Sequence, residues 1–508
     1  MQPRNLFSTF QKRPVLSIAI GILAILCLYA FFATTTTYEI IEYSSTWVRN
    51  YFGYFYLYLG LGCVLFLLSI ALSPLGNKKL GNPTSKPEHS TWSWVAMLYS
   101  AGMGAGILLR AVQEPVYMQQ NPPFKSDLQS NILALEFTFY QWGFTAWAFY
   151  GLFAMVMGYA LFVDRKKVQI SATIEESIKN PIAKGSIDIL TIITTVFGLI
   201  AAVGLGTTQI TGGLTHLTEL NFGFKTTLIL TLIICTLAFL SAWKGLNKGI
   251  KLLSKGNILA TLLLLLFIFF TSDIYEILKS FSNATLAYLK DFIPLSLAIG
   301  KFNPGIDFLT NWTFYYWAFW IAWAPFTGIF IARISKGRTL RQLLLGVLII
   351  PSLGTFFWFS VFGQSVFNLV QDWGSYNGEF NNVFTSIFIF LENYPMPSLL
   401  NTTSIILLIG FLVTSVDSAV FVLSMFTDNG KQNPSKKHRL LWSIFIFFAT
   451  LALLVLANVK PNIDILSTVQ KLLIITSLPF SFFMIIMAGL FLKKMIIKKK
   501  VPRNKLDI

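Results

Sequence analysis

The chain has 508 residues, 55% of them hydrophobic and only 12% charged, with a mean hydropathy of +0.65 and a formal net charge of +17. Soluble domains carry about 25% charged residues, so this composition excludes a water-soluble globular protein, a disordered chain and a collagen-like fibre. What remains is a membrane protein of many spans. Its apolar runs are long and continuous and therefore read as helices, whereas a barrel shows alternating segments of about ten residues.

Twelve runs are apolar enough to cross a bilayer: 14–34, 52–73, 92–117, 133–163, 185–215, 226–243, 256–272, 311–332, 343–366, 401–426, 440–458 and 465–492. The first follows a basic start and lacks a small-residue cleavage site, so it reads as a span and not as a cleaved signal. An even number of spans puts both termini on one side. With that side cytoplasmic, 30 of the 39 Lys and Arg fall in cytoplasmic segments, eight fall in outer segments or span edges, and Arg110 alone lies inside a span. This is the positive-inside bias expected of a multi-pass plasma (inner) membrane protein. It accounts for the net charge without a nucleic-acid partner. The basic end, from Lys493 to Lys505, reads as a stop-transfer flank that also suits anionic membrane lipid.

The chain divides into 1–91 with two peripheral spans, a five-helix unit 92–272, a linker 273–310, a second five-helix unit 311–492, and a short tail 493–508. In the linker, Asp273, Glu276, Lys279 and Lys290 alternate with apolar residues at helical spacing, which predicts an amphipathic helix in the outer interface. Residues 376–398 predict a short outer helix over the bundle. Cys27, Cys63 and Cys235 lie in apolar runs and form no disulfide framework; His89, His216 and His438 build no metal cluster, and no cofactor is expected.

Two spans look interrupted. Span 3 carries Gly102-Met103-Gly104-Ala105-Gly106, and span 8 carries Ala324-Pro325-Phe326-Thr327-Gly328. A discontinuous helix at matching places in two units points to a transporter site, because freed amides attract a carboxylate and freed carbonyls a cation. Small residues that let helices pack closely give the same pattern. Aromatics crowd nearby: Trp142, Trp147 and Tyr150 of span 4 fall within an arc of about 140°, and Trp317, Trp320 and Trp323 of span 8 within about 120°. Facing rings suit a quaternary ammonium, although large rings also fill bundle cores.

At this point the residues resemble the betaine/choline/carnitine transporter family over nearly the whole length. The resemblance rests on Gly102–Gly106 with Glu114-Pro115, the Trp142/Trp147/Tyr150 spacing, Val196-Phe197-Gly198 with Gly204-Leu205-Gly206, the stretch from Trp312 through Trp323 to Thr339, and Val413–Ser418. It implies twelve helices with an inverted five-helix repeat, uptake of trimethylammonium osmoprotectants by symport with sodium, and a homotrimer. It further implies that Trp142, Trp147, Tyr150 and Trp320 form a substrate cage, with Trp317 and Trp323 lining the pathway. Gly102, Met103, Gly104 and Gly106 would meet the substrate carboxylate. Thr414 and Ser415, with Phe411 and Met103, would hold one sodium. Thr195 matches half of a second sodium site whose partner position is Leu199, an apolar residue that ligates nothing.

Arg110 stands where the family has an aromatic residue. It has three readings: an ion pair with Glu114 at i+4 on its own helix, a handle for a substrate carboxylate, or a built-in cation near the sodium site. The position of Gly106, where choline-type members carry Asp, favours a zwitterion over a bare cation. The leading reading is therefore a sodium-coupled importer of a betaine-like solute. The alternatives are a sodium-independent exchanger of carnitine type, a choline transporter and, more remotely, a membrane-embedded enzyme. The only deep ionisable residues are Arg110, Glu114, Glu136 and Asp417, with no histidine among them, which argues against an enzyme.

Overall fold

The computed structural model describes residues 13–102, 104–244, 247–459 and 463–500. In chain order the main helices are α1 (Pro14–Phe32), α2 (Thr34–Leu72), α3 (Thr91–Gly102), α4 (Ala105–Arg110), α5 (Gln113–Gln120), α6 (Ser130–Trp142), α7 (Phe144–Phe162), α8 (Pro181–Thr218) and α9 (Phe224–Lys244). There follow α10 (Asn247–Thr271), α11 (Ile274–Leu297), α12 (Thr313–Ile334), α13 (Leu340–Trp373), α14 (Ser386–Leu391), α15 (Pro397–Thr427), α16 (Lys436–Leu456) and α17 (Ile465–Lys500). Among the described residues, eleven spans are long and apolar enough to cross a membrane, or twelve when α3 and α4–α5 count as one bent span. The all-helical polytopic fold follows from the solvent: lipid offers the backbone no partner, so each crossing segment satisfies its own amides and carbonyls.

The first break falls where the glycines of span 3 stand, and the two halves of that span meet at 61°. Met103, at the centre of the break, lies outside the described residues. The second expected break is absent. Helix α12 runs from Thr313 to Ile334 with Pro325 inside it. Its small residues serve packing instead: a Cβ on Gly328 would collide with Phe153 Cβ and stand 3.1 Å from the Ala154 amide nitrogen. Gly328 therefore lets α12 lie against α7 at backbone distance, in the most extensive helix contact of the bundle. Gly328→Val should lower thermal stability in detergent by about 1–3 kcal/mol, whereas Gly489→Ala, which meets no atom within 4 Å, should leave it unchanged. Equal melting of both variants would show that the close approach does not fix this glycine.

A different span is broken. Span 4 is split at Gly143 into α6 and α7. A Cβ there would lie 2.6 Å from the Phe139 carbonyl oxygen and 2.8 Å from the Tyr288 hydroxyl, so only glycine fits. The backbone groups released at this break find side chains. The Phe144 amide donates to Tyr288 Oη (2.9 Å), and Thr355 donates to the Trp142 carbonyl (3.4 Å). This is how irregular backbone survives at membrane depth.

The boundary of span 2 also differs from expectation, because α2 begins at Thr34, well ahead of residue 52. Tyr38, Ile41, Ser45 and Val48 are buried at helical spacing, and Lys471 at the start of α17 donates to Tyr38 Oη (2.6 Å) and pairs with Glu42. The linker forms the amphipathic helix its pattern predicts. In α11, Asp273 caps the Glu276 amide, while Ile277, Ala284, Tyr288 and Phe292 face α6 and α13. The short helix over the bundle is α14, which touches α4, α8 and α15.

Candidate substrate site

The half-helix α4 packs between α8 and α15. Gly104 enters it in an extended conformation, and among the described residues a Cβ on Gly106 would meet the Trp142 ring at 3.6 Å. The glycine-rich break thus faces the aromatics, as expected, with Gly102 ending α3 just before it.

Four of the expected cage residues come together. Trp142 meets Trp320 edge to face at 5.1 Å between ring centroids, Trp320 meets Tyr150 at 6.2 Å, and Tyr150 meets Trp147 at 5.4 Å, all near-perpendicular. The four rings are buried. The cage is fixed from behind: Trp320 Nε1 donates to the Gln141 carbonyl (3.0 Å), immediately before the Gly143 break. The break therefore sets the angle between Trp142 and Trp147, which sit on different helix segments. An aromatic ladder continues from the cage along one face of α12, from Trp320 to Tyr316 (6.0 Å) and on to Trp312 (6.3 Å).

The other two tryptophans of span 8 part company. Trp317 packs on Tyr140 (5.2 Å) and against Gly60 of α2, at the joint between α2, α6 and α12. Trp323 donates Nε1 to the Gly198 carbonyl of α8 (3.1 Å) and stacks with Phe319, which ties α12 to α8.

A carboxylate stands beside the cage. Glu114 of α5 is fully buried; its Oε2 accepts from Trp142 Nε1 (3.2 Å) and from the Tyr316 hydroxyl, while Oε1 has no hydrogen-bond partner among the described residues. Glu114 helps carry the family resemblance, yet sequence reasoning assigned it no role at the site. The available signal was a carboxylate in an apolar span within two turns of the glycines. Arg110 is also buried, but it makes no ion pair with Glu114. Its guanidinium lies over Trp312 (4.9 Å) and near Tyr316 (6.0 Å) and donates to Gln113 Oε1 (2.7 Å). The local Arg110–Glu114 bridge is therefore replaced by cation–π contact with Trp312. A guanidinium carries five N–H donors, so this bond leaves donors to spare.

Three of the expected sodium ligands, Phe411, Thr414 and Ser415, lie on α15, which packs against α4. Thr414 donates to the Gly410 carbonyl (2.9 Å) and the Phe411 carbonyl (3.1 Å), so its oxygen keeps lone pairs for a cation. Thr414 and Ser415 are half-buried. The chemistry fits a hard monovalent ion, which takes hydroxyl and carbonyl oxygens. Thr195 spends its hydroxyl on the Thr191 carbonyl (2.7 Å) of its own helix, with buried Leu199 one turn on.

A profile for the betaine/carnitine/choline family of transporters matches residues 14–500. The glycine betaine transporter OpuD of Bacillus subtilis is 36% identical over 92% of this chain and 92% of its own length. The high-affinity choline transport protein of Escherichia coli is 34% identical over 88% of this chain and 66% of its own length. An ectoine/hydroxyectoine transporter of Virgibacillus pantothenticus is 32% identical over 87% of this chain and 88% of its own length. The chain belongs to the betaine/carnitine/choline transporter family. It is a multi-pass membrane transporter and not an enzyme.

Proposed function

We propose that this transporter imports a betaine-like quaternary ammonium zwitterion across the plasma membrane, coupled to sodium, by alternating access, with both termini cytoplasmic. The observation that carries the reading is the buried four-ring cage of Trp142, Trp147, Tyr150 and Trp320, held by the Trp320–Gln141 hydrogen bond. A quaternary ammonium offers no N–H and is recognised by ring faces. Glu114 beside the cage adds negative potential for the cationic end. Arg110, a buried guanidinium stacked on Trp312, supplies the opposite charge for the carboxylate end. The names of the relatives support solutes of this class. The lysine and arginine asymmetry supports the orientation.

Uptake of labelled glycine betaine, choline and carnitine into proteoliposomes, with and without an imposed sodium gradient, tests the reading. Sodium-driven accumulation of glycine betaine is expected. Uptake that needs no sodium but requires preloaded substrate would replace it with exchange, the reading favoured by a buried Arg110 that forms no ion pair among the described residues.

One sodium ion is expected. Thr414 and Ser415 provide a hydroxyl pair, whereas Leu199 leaves Thr195 without one. The Thr414→Ala, Ser415→Ala double variant should lose sodium stimulation and the sodium-dependent change in tryptophan fluorescence. A sodium Hill coefficient near two in the unaltered protein would contradict the single site.

A further inference from the structure

The buried apolar side chains fall into two clusters. The larger runs through the whole bundle; the smaller consists of Ala30 of α1, Tyr38 and Ile41 of α2, and Ala452 and Leu456 of α16. Between them lies a cavity of about 280 Å³. Leu23, Ile200 and Leu453 line it from the larger cluster, and Ala30, Ile41 and Ala452 from the smaller. Its walls are almost wholly apolar. The two threonines among them spend their hydroxyls on backbone, Thr37 on the Tyr29 carbonyl (2.9 Å) and Thr476 on the Leu472 carbonyl (2.9 Å). A bound water needs about two to four polar partners, so these walls suit an apolar occupant. An unfilled void forfeits the dispersion contacts of its lining. The cavity opens sideways, because Leu26, Tyr29 and Ile40 belong to its lining and are exposed. On α1 they continue the exposed stripe Ile18, Ile22 and Ile25, the face that this span turns to the bilayer.

We propose that this cleft holds one acyl chain of a membrane phospholipid, which joins the two clusters into one core. The inference is independent of the solute that the cage binds. The bilayer supplies the chain directly at the mouth. A helix from a second copy is about 10 Å across, too thick for a cleft of this volume. The polar end of the lipid lies beside Lys471, which precedes the lining residue Leu472 and pairs with Glu42, next to the lining residue Ile41. Arg49 approaches the same carboxylate (3.7 Å), so two cations stand where a phosphate headgroup emerges; basic side chains near span ends reach for that level. The far wall is Val196, Phe197 and Ile200 of α8, which flank Gly198, the residue whose carbonyl receives Trp323 of α12. The chain thus braces α8 behind the point where α12 is tied to it.

Photolabelling of the full-length protein in nanodiscs tests this, with a phospholipid that carries a diazirine near the end of one acyl chain. Mass spectrometry should find label on Ile200 and Leu453, which are only 4% and 2% exposed and out of reach of lipid that stays on the surface. Ala452→Trp puts an indole into the cleft and should remove at least about nine-tenths of that label, while label on exposed Ile18 persists. In detergent, added phospholipid should raise the melting temperature of the unaltered protein and not that of the variant. A cooperative melt shows that the variant folds, and Ala449→Phe carries the same expectation if it does not. Label confined to exposed residues such as Ile18, or equal label at Ile200 in the filled variant, overturns the proposal. Cys27 also lines the cavity. A Cys27–Cys27 disulfide between copies, formed by oxidant with no label at Ile200, likewise overturns it and assigns the cleft to a second copy of the chain.

Discussion

Trp320→Leu should weaken glycine betaine binding at least tenfold, and it is the largest single loss expected at the cage. Trp320 touches Trp142, Tyr150, Tyr316 and Phe319, so its ring is the hub of the aromatic cluster. A desolvated cation–π contact contributes about 2 kcal/mol, which is more than the roughly 1.4 kcal/mol that separates tenfold in affinity. Leucine also deletes the hydrogen bond to the Gln141 carbonyl and frees backbone beside the Gly143 break. Trp320→Phe separates the two effects, because it keeps a ring face and loses only the bond; an intermediate loss is expected. Trp147→Leu should behave like Trp320→Leu on a smaller scale, since Trp147 meets the cluster through Tyr150. Isothermal titration and ligand-induced tryptophan fluorescence both read the outcome. Unchanged affinity in Trp320→Leu and Trp147→Leu alike would sink the cage assignment.

The fold was legible because lipid as a solvent imposes length and apolarity, and both are written in composition. The clustering of Trp142, Trp147, Tyr150 and Trp320 was legible because tryptophans in mid-span windows need a reason other than the interfacial belts. The failures share a cause, which is that a glycine or proline does not say whether it breaks a helix or lets one approach. Gly328 and Pro325 looked like a break, and Gly328 is a packing seat. Gly143 sat unremarked among aromatics, and it breaks span 4. The difference lies in long-range partners, namely Phe153 against Gly328, and Tyr288 and Phe356 against Gly143. No local pattern contains them. The early start of α2 was recoverable, by contrast: Tyr38, Ile41, Ser45 and Val48 recur at helical spacing ahead of residue 52.

The site also shows why one departure from a family pattern can matter more than several matches. A buried cation costs several kcal/mol unless its surroundings compensate it. The compensation for Arg110 is the Trp312 and Tyr316 rings, the Gln113 side chain and the through-space attraction of Glu114. Tyr316 lies against both Arg110 and the cage rings Trp142 and Trp320. On the function proposed above, the two charges of a short zwitterion would find complementary groups on either side of one tyrosine: ring faces and Glu114 for the ammonium, Arg110 for the carboxylate.

Arg110→Gln is the variant that decides whether this complementarity is used. The glutamine keeps a hydrogen-bonding head and most of the volume, so folding and the tryptophan fluorescence of the unliganded protein should be retained. A hydrogen bond to a charged group contributes about 1.5–3 kcal/mol, so glycine betaine affinity should fall by about tenfold to a hundredfold. Choline, which lacks the carboxylate, should change far less. That contrast is the signature of carboxylate recognition, because loss of a merely structural cation would affect both ligands equally. If affinity for both holds while sodium dependence steepens, Arg110 acts instead as a built-in positive charge that competes with the ion. If neither affinity nor sodium response changes, Arg110 is a packing cation stacked on Trp312, and the zwitterion is recognised at the glycines of the broken helix alone.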